Sequence, residues 1–214
     1  MIHVCEIVPH DAFRGASLLA FDGDRVWLGG KVIKGEGRDI LALTGIGGRV
    51  EPGETFPECV LREAREETGT EARITPCPRT LVVRGPAESS VATFAEGPGA
   101  VVFRSASASP GRPWAPGRLL AVAVFTGCLL DRPRPVEKLP LFVLLSTADI
   151  LAVLEDRHTA GTLLAACPVV KAPHCGLDPG APVRFVDSPE ALFTHLGPRV
   201  ATWLEVVRRW SAMI

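Results

Sequence analysis

The stretch GRVEPGETFPECVLREAREETGT, residues 48 to 70, decides how the rest of the chain is interpreted. Thr55 and Glu58 have the spacing of a capping box, and Gly69 lies where a left-handed C-terminal cap is expected. These end signals predict a helix from about Phe56 to Thr68.

Three glutamates of this predicted helix share one face. Glu63, Glu66 and Glu67 fall at positions i, i+3 and i+4, and Glu54 adds a fourth carboxylate just before the helix. Like charges at this spacing repel each other, so something positive should compensate them. The simplest alternative to a functional site is an exposed acidic face that the neighbouring arginines neutralise.

The residues around the glutamates favour a metal site over that alternative. Gly47 and Gly48 can bring the backbone close to a ligand, and Pro52-Gly53 makes a turn just before Glu54. Clustered oxygen ligands fit a hard divalent cation such as Mg²⁺, which proteins commonly share with substrate phosphates. The sequence contains neither GxxxxGK[ST] nor GxGxxG, the other common phosphate-binding motifs. The pattern therefore predicts phosphate chemistry at a metal held by carboxylates.

The spacing of these residues resembles the Nudix box, G-x5-E-x7-R-E-U-x-E-E-x-G-U, in which U is a bulky aliphatic residue. The matching positions are Gly48, Glu54, Arg62, Glu63, Glu66, Glu67 and Gly69. Ala64 is a small occupant of the first U position, and Thr70 departs from the last one, which concerns local packing and not the chemistry. The resemblance implies hydrolysis of a nucleoside diphosphate linked to another group, by attack of water on phosphorus with Mg²⁺ or Mn²⁺.

The resemblance also implies a role for each residue of the box. The expected metal ligands are Glu63, Glu66 and Glu67, with Glu54 in support. The carbonyl of Gly47 is a further candidate ligand, Gly47 and Gly48 would contact the substrate, and Arg62 would orient the carboxylates.

The general base varies within the family and often lies outside the box. Glu66 is one candidate, and four acidic residues in or beside later loops are others: Glu88, Glu96, Asp131 and Glu137. Glu137 is favoured among these four because it precedes a strand in the second half of the predicted sheet.

Substrate choice depends on residues outside the box. The chain has no tyrosine, so it lacks the Tyr associated with dinucleoside polyphosphate hydrolases. Pro86 lies close to where ADP-ribose hydrolases often carry a proline, which hints at an ADP-ribose-like substrate. Trp114, in the Pro- and Gly-rich segment 105–118, is a candidate for stacking on a base, with a loop anchor as the alternative.

Short apolar runs separated by Gly and Pro predict a mixed sheet of about six strands. Asp22-Gly23-Asp24 lies between two β-like runs and predicts a hairpin. Together with the helices, the strands resemble the Nudix αβα sandwich, an α/β fold of the α+β type, over residues 1–156.

The remaining residues, 157–214, predict a C-terminal helical extension, packed on the same domain or at a dimer interface. Upstream of it, Ser146 or Thr147 can cap a helix that runs through Asp156. Within it, Ser188 and the following Pro189 indicate a helix start, and Gly197-Pro198 should interrupt that helix. A last helix then runs from about residue 199 to 212, with an apolar stripe at helical spacing.

Composition limits the classes of protein. The 214 residues are 47% hydrophobic, which fits one globular domain with or without an extension, and the net charge of -1 gives no field for holding a nucleic-acid polymer. The N-terminal residues lack the pattern of an export signal, and the longest apolar run, 119–130, is too short for a membrane helix. We expect a soluble cytoplasmic protein that acts on a nucleotide-type small molecule and has free cysteines.

Three hypotheses of function follow. The first is a metal-dependent Nudix pyrophosphohydrolase. The second is a catalytically silent Nudix-fold module that senses or binds a nucleotide, although a sensor has no need of the complete acidic set. The third is isomerase chemistry on a diphosphate, which would require a catalytic Cys and Glu, and no Cys has a context that suggests this role.

Overall fold

A single mixed β-sheet organises the chain. The computed structural model describes residues 2–35, 37–85, 88–105, 119–173 and 175–211. Twelve strands occur in this described part. They are β1 (Phe13–Asp22), β2 (Arg25–Ile33), β3 (Ile40–Thr44), β4 (Ile46–Arg49), β5 (Ala72–Thr75), β6 (Thr80–Val83), β7 (Ser89–Ala92), β8 (Ala100–Ser105), β9 (Leu119–Leu129), β10 (Leu141–Leu145), β11 (Val169–Lys171) and β12 (Val183–Phe185).

The central strand β1 gives the sheet its mixed character. It pairs antiparallel with β2 and β4 and parallel with β9. The β1–β2 hairpin confirms the predicted turn at Asp22-Gly23-Asp24. The prediction of about six strands was wrong, because strands of three or four residues, such as β4, β11 and β12, are too short to show a period in the sequence.

Helices cover both faces of the sheet. They are α1 (Val4–Ile7), α2 (Phe56–Thr68), α3 (Thr147–Leu154), α4 (Ala160–Ala166), α5 (Asp187–Leu196) and α6 (Val200–Ser211). On β1, Leu18 packs in the apolar cluster that contains α2, whereas its neighbour Leu19 packs in the cluster that contains α5 and α6. This alternation along the strand makes the fold the predicted αβα sandwich.

Helix α2 begins and ends where its sequence signals predict. The hydroxyl of Thr55 accepts the N–H of Glu58 at 3.3 Å, and the Glu58 carboxylate accepts the N–H of Thr55 at 2.8 Å. At the other end Gly69 has φ of 64°, and its N–H donates to the carbonyl of Arg65. Because Gly has no Cβ, it adopts this left-handed conformation without strain. The caps fix the rotation of the helix and hence the direction of its glutamates.

The limits of the C-terminal helices agree less closely with those predicted from the sequence. The hydroxyl of Ser146 caps α3, as predicted, but that helix ends at Leu154. The predicted helix start is confirmed to within one residue, since α5 begins at Asp187, but the predicted cap by Ser188 was wrong. The Ser188 hydroxyl instead donates to the hydroxyl of Ser17 at 2.9 Å. This buried side chain satisfies a strand residue, so it is not free to cap the helix.

The last helix packs against the sheet. A 3₁₀ turn at Gly197–Arg199 separates α5 from α6, which confirms the predicted interruption. Val200, Leu204 and Val207 of α6 are buried in the same cluster as Leu19 and the strand residues around it. The extension also contains strands, since β12 pairs parallel with β3 and β11 pairs antiparallel with β10. The boundary at residue 156 stays a prediction.

Pro86 and Trp114 lie outside the described residues. Across the described ranges, every helix is too short or too polar to cross a membrane.

Candidate active site

Two carboxylates of α2 are buried against the short strand β4. Glu63 is 5% exposed and Glu67 is 3% exposed. The N–H of Gly47 donates to Glu67 Oε2 at 2.8 Å. A Cβ at position 48 would lie 2.0 Å from Glu63 Oε1. The helix thus packs two acidic side chains on a strand whose glycines leave room for them.

The glycines are also required by the strand on the other side. Gly47 pairs with Ser17 of β1, and a Cβ at position 47 would lie 2.2 Å from the carbonyl oxygen of Ala16. Because that oxygen belongs to the backbone of a central strand, it cannot move aside easily. The sequence Gly47-Gly48 is therefore explained by close packing on both sides of β4.

Arg62 joins the carboxylates of the site. Its Nε and Nη2 donate to the two oxygens of Glu54 at 2.8 and 3.1 Å. Its Nη1 donates to Glu63 at 3.0 Å and to Glu66 at 3.2 Å. A further contact, from Nη2 to the carbonyl of Arg49 at 3.0 Å, connects the helix to β4. The planar guanidinium can make all these bonds at once, whereas an ammonium cannot.

The charges around Arg62 shift the pKa values of its neighbours. The hydrogen bonds from Arg62 hold the pKa of Glu54 below its ordinary value. The hydrogen bonds that Arg62 donates to Glu54 and Glu63 outweigh burial and raise the pKa of Arg62. Burial, followed by the charge of Glu54, raises the pKa of the Cys59 thiol to about 12. Cys59 therefore stays protonated and is a poor nucleophile.

A lysine from outside the helix contacts both carboxylates of the buried pair. Lys138, in the segment between β9 and β10, places its ammonium 2.7 Å from Glu67 Oε1 and 3.1 Å from Glu63 Oε2. Burial raises the pKa of Glu67, and Lys138 and the Gly47 N–H act against that rise. Burial lowers the pKa of Lys138, but Glu67 and Glu63 more than offset it, so the net pKa is raised and the ammonium keeps its charge.

The remaining acidic residues are spread around this centre. Glu66 has a half-exposed side chain and contacts Arg62. Glu137 is exposed next to Lys138, and no hydrogen bond within the described residues joins it to the box. Glu88 and Asp131 are exposed as well. Glu96 accepts the N–H of Val4 at 3.1 Å and so holds the N-terminal helix.

A cavity opens beside the glycines of β4, on the face opposite α2. It has a volume of about 130 Å³ and is lined by strands β1, β4 and β9 and by the start of α5. Arg14 and Arg49 lie at its edge, each with its guanidinium over an aromatic ring, of Phe56 and Phe13 respectively. Nε of Arg14 is buried without a hydrogen-bond partner among the described residues. Because Phe56 belongs to α2, the guanidinium of Arg14 lies on the side that carries the carboxylates, and Arg49 is the cation beside the cavity.

The donor set suits a hard divalent cation. Glu63 Oε2 and Glu67 Oε1 already share one cation, the ammonium of Lys138. In the described part of the chain, no three His, Cys, Asp or Glu side chains converge closely enough to hold a metal ion. Two buried carboxylates that share a cation fit Mg²⁺ or Mn²⁺, provided that Lys138 moves away and Glu66 turns toward them.

Comparison with known families decides the relationship of the chain. The model of the NUDIX domain matches residues 11–124, which is more than half of the sequence. The chain belongs to the Nudix family. It is a Nudix hydrolase that acts on phosphoric anhydride bonds. The match includes the whole box and all the residues of β1 to β8, while Lys138 and the C-terminal helices lie beyond it.

Solved structures show distant similarity to this Nudix hydrolase. The solution structure of the E. coli ORF135 protein is 17% identical over 66% of this chain and 78% of its own, with a TM-score of 0.46. A MutT NUDIX hydrolase from Burkholderia pseudomallei is 19% identical over 64% and 85%, with a TM-score of 0.42. A UDP-X diphosphatase is 15% identical over 67% and 55%, with a TM-score of 0.39. No curated protein is significantly similar to the sequence.

Sequence reasoning missed three cationic residues of the site. Arg14 and Arg49 lie in the paired strands β1 and β4, and Lys138 follows the favoured candidate Glu137 by one position. A signal for Lys138 was present, because a buried acidic pair requires a positive partner. Its place in the chain could not be read from the sequence, since the contact spans 71 to 75 residues.

Proposed function

We propose that this Nudix hydrolase is a pyrophosphohydrolase that requires Mg²⁺ or Mn²⁺ and cleaves the diphosphate of a nucleoside diphosphate linked to another group, with an ADP-ribose-like compound as the first candidate. The observation that carries the proposal is the buried pair Glu63 and Glu67, held by Arg62 on one side and by the N–H of Gly47 on the other. A purely structural helix face would leave such carboxylates in water.

The proposed metal ligands are Glu63, Glu66 and Glu67, with the Gly47 carbonyl as a further ligand and Glu54 in support. A divalent cation bound there would neutralise charge on the phosphoryl oxygens and lower the pKa of a bound water. Arg62 fixes Glu54 and Glu63 in orientation through charge-assisted bonds, so that little reorganisation is needed when the substrate arrives.

The proton of the attacking water needs an acceptor. Glu66 is the better-placed candidate, since its half-exposed carboxylate lies on the same helix face as the buried pair and touches Arg62. Glu137 remains the second candidate, because it lies beside Lys138 in a segment that reaches the site. Either carboxylate would take the proton as a general base.

The substrate is proposed to extend from the carboxylates into the cavity next to Gly47 and Gly48. A volume of about 130 Å³ is smaller than the roughly 300 to 1,000 Å³ of sites for drug-sized ligands, so it would hold one part of a nucleotide. Arg14 and Arg49 provide charge for a phosphate. Base stacking by Trp114 stays a prediction, as do the homodimer, the cytoplasmic location and the exclusion of nucleic-acid polymers.

A silent binding module is the second candidate. The contact of Lys138 with both buried carboxylates favours it, since the chain itself already supplies a cation to the pair. Isomerase chemistry is less well supported, because the Cys at the site, Cys59, has a pKa raised to about 12.

The test is phosphate release from a panel of ADP-ribose, NADH, sugar nucleotides, dinucleoside polyphosphates and nucleoside triphosphates, each with Mg²⁺ and with Mn²⁺. Glu67→Gln should lower turnover by at least about 100-fold, as expected when a group that acts in the transition state is lost. Glu205→Gln, at an exposed glutamate of α6, is the matched control and should behave as wild type. Metal-independent binding without turnover on any compound would support the silent module.

A further inference from the structure

Lys138 contacts the same oxygens that the proposed function assigns to the metal. Its ammonium lies 2.7 Å from Glu67 and 3.1 Å from Glu63. A magnesium ion binds oxygen ligands at about 2.0 to 2.1 Å. Both cations cannot occupy the space between two carboxylates at once, because they would repel each other and overlap. The lysine and the metal therefore compete for one position.

The two cations of the site are held differently. The side chain of Arg62 is 25% exposed and is bonded to the helix, to β4 and to three carboxylates. The side chain of Lys138 is 62% exposed, and its ammonium contacts the two buried glutamates. A flexible alkyl chain in water loses little packing when it swings away. Lys138 is thus the cation that yields to a metal.

We propose that Lys138 is a tethered cation that a divalent metal displaces from Glu63 and Glu67, and that the displaced ammonium then binds the diphosphate of the substrate. This inference rests on the proposed function. A cleft of about 620 Å³ is lined by Lys138, by the exposed Glu137 and by Lys31. The cleft gives the ammonium an open position, and Lys31 adds a second positive charge for an anionic group.

Removal of the Lys138 charge should strengthen metal binding and weaken diphosphate binding. Lys138→Met keeps the length and the apolar part of the side chain but removes the charge. The metal no longer has to displace an ammonium, so we expect Mn²⁺ to bind about tenfold more tightly, which is about 1.4 kcal/mol. The diphosphate loses a cation, so we expect methylenediphosphonate, a non-hydrolysable diphosphate, to bind the Mn²⁺-loaded protein roughly fivefold to tenfold more weakly.

The experiment is isothermal titration calorimetry of the full chain, first with Mn²⁺ alone and then with methylenediphosphonate at saturating Mn²⁺. Lys138→Gln is a second neutral variant in case the methionine does not fold, and circular dichroism checks folding. Lys138→Arg keeps the charge and should bind Mn²⁺ within about threefold of wild type. Lys34→Met removes the same charge from an exposed lysine paired with Asp39 and should leave both affinities unchanged.

The outcomes separate this inference from the proposed function. Tighter Mn²⁺ and weaker diphosphonate binding in both neutral variants supports the displaced lysine. Unchanged or weaker Mn²⁺ binding in both neutral variants, with wild-type binding that still depends on Glu67, overturns the inference and leaves the metal site standing. Absence of Mn²⁺ binding by wild type, or equal binding by Glu67→Gln, overturns the proposed metal site and the inference together.

Discussion

Substitution of Gly48 by Ala is the most direct test of how the buried pair is built. The added Cβ would lie 2.0 Å from Glu63 Oε1 and 2.4 Å from its Cδ. A carbon and an oxygen in contact stay about 3.3 Å apart. The carboxylate must therefore move by roughly 1.3 Å, which is the difference between these distances. A shift of this size is possible because the obstacle is the end of a flexible side chain.

The shift breaks the contacts that hold Glu63. Its bonds to Arg62 at 3.0 Å and to Lys138 at 3.1 Å would both lengthen beyond hydrogen-bond range. A hydrogen bond to a charged group contributes about 1.5 to 3 kcal/mol, which applies to the bond with Arg62. Water screens the bond with Lys138, whose side chain is 62% exposed, so that bond contributes only about 0.5 to 1 kcal/mol. The free energy of unfolding should therefore fall by about 2 to 4 kcal/mol. A misplacement of about 1 Å can cost on the order of 100-fold in rate, so kcat/KM should fall by about that factor.

The assay measures kcat/KM on the best substrate of the panel, with Mn²⁺ affinity by calorimetry as a readout that needs no substrate. Urea denaturation gives the free energy of unfolding. Gly85→Ala is the matched control, since a Cβ at position 85 meets no atom within 4 Å. Activity and Mn²⁺ affinity of Gly48→Ala within threefold of wild type would refute the reasoning, because Glu63 would then be dispensable in its observed position.

Three further predictions follow from the contacts of the site and the core. Arg62→Lys replaces a planar guanidinium with several donors by a single ammonium, so kcat/KM should fall about 10- to 100-fold in steady-state assays. Arg209→Lys, at an exposed arginine of α6, is the control and should keep wild-type activity. The lowered pKa of Glu54 adds stability that is present above pH 4.5, its ordinary pKa, and is lost as the pH falls below that value. In urea denaturation, the free energy of unfolding of wild type should therefore exceed that of Glu54→Gln by less at about pH 3 than at about pH 5. A larger difference at the lower pH would contradict this prediction. Phe193→Ala removes a fully buried ring that packs edge-on against Phe185, so the free energy of unfolding should fall by about 3 to 5 kcal/mol. Scanning calorimetry should still show one unfolding transition, and two separate transitions would mean that the extension unfolds on its own.

Local signals in the sequence predicted local structure well. The limits of α2 follow from Thr55, Glu58 and Gly69, each of which acts within four residues of its partner. The hairpin at Gly23 is of the same kind, because the two-residue turn itself directs the chain back. The common face of the three glutamates follows from helical geometry alone.

Contacts between distant segments could not be predicted in the same way. Lys138 meets Glu63 because β9 and β10 flank β1 and β2, and β4, where the box begins, pairs with β1. This arrangement is a property of sheet order. Serine is a common helix cap, yet the Ser188 hydroxyl donates to Ser17, which is 171 residues away in sequence. In both cases the deciding partner is far away in sequence, and a single sequence carries no information on that pairing.

Helix α5 supplies one wall of the cavity, and this wall offers a way to alter the substrate preference of the enzyme. Ser188 closes the cavity through its bond to Ser17, and Arg104 braces the adjoining turn by donating to the carbonyl of Asp187 at 2.9 Å. The α5 wall of the cavity is therefore encoded in a different stretch of the chain from the box. Random mutagenesis confined to residues 104, 187 and 188 would reshape the cavity that we propose for the substrate while every residue of the box is preserved, so new substrate preferences could be selected without a change in the box.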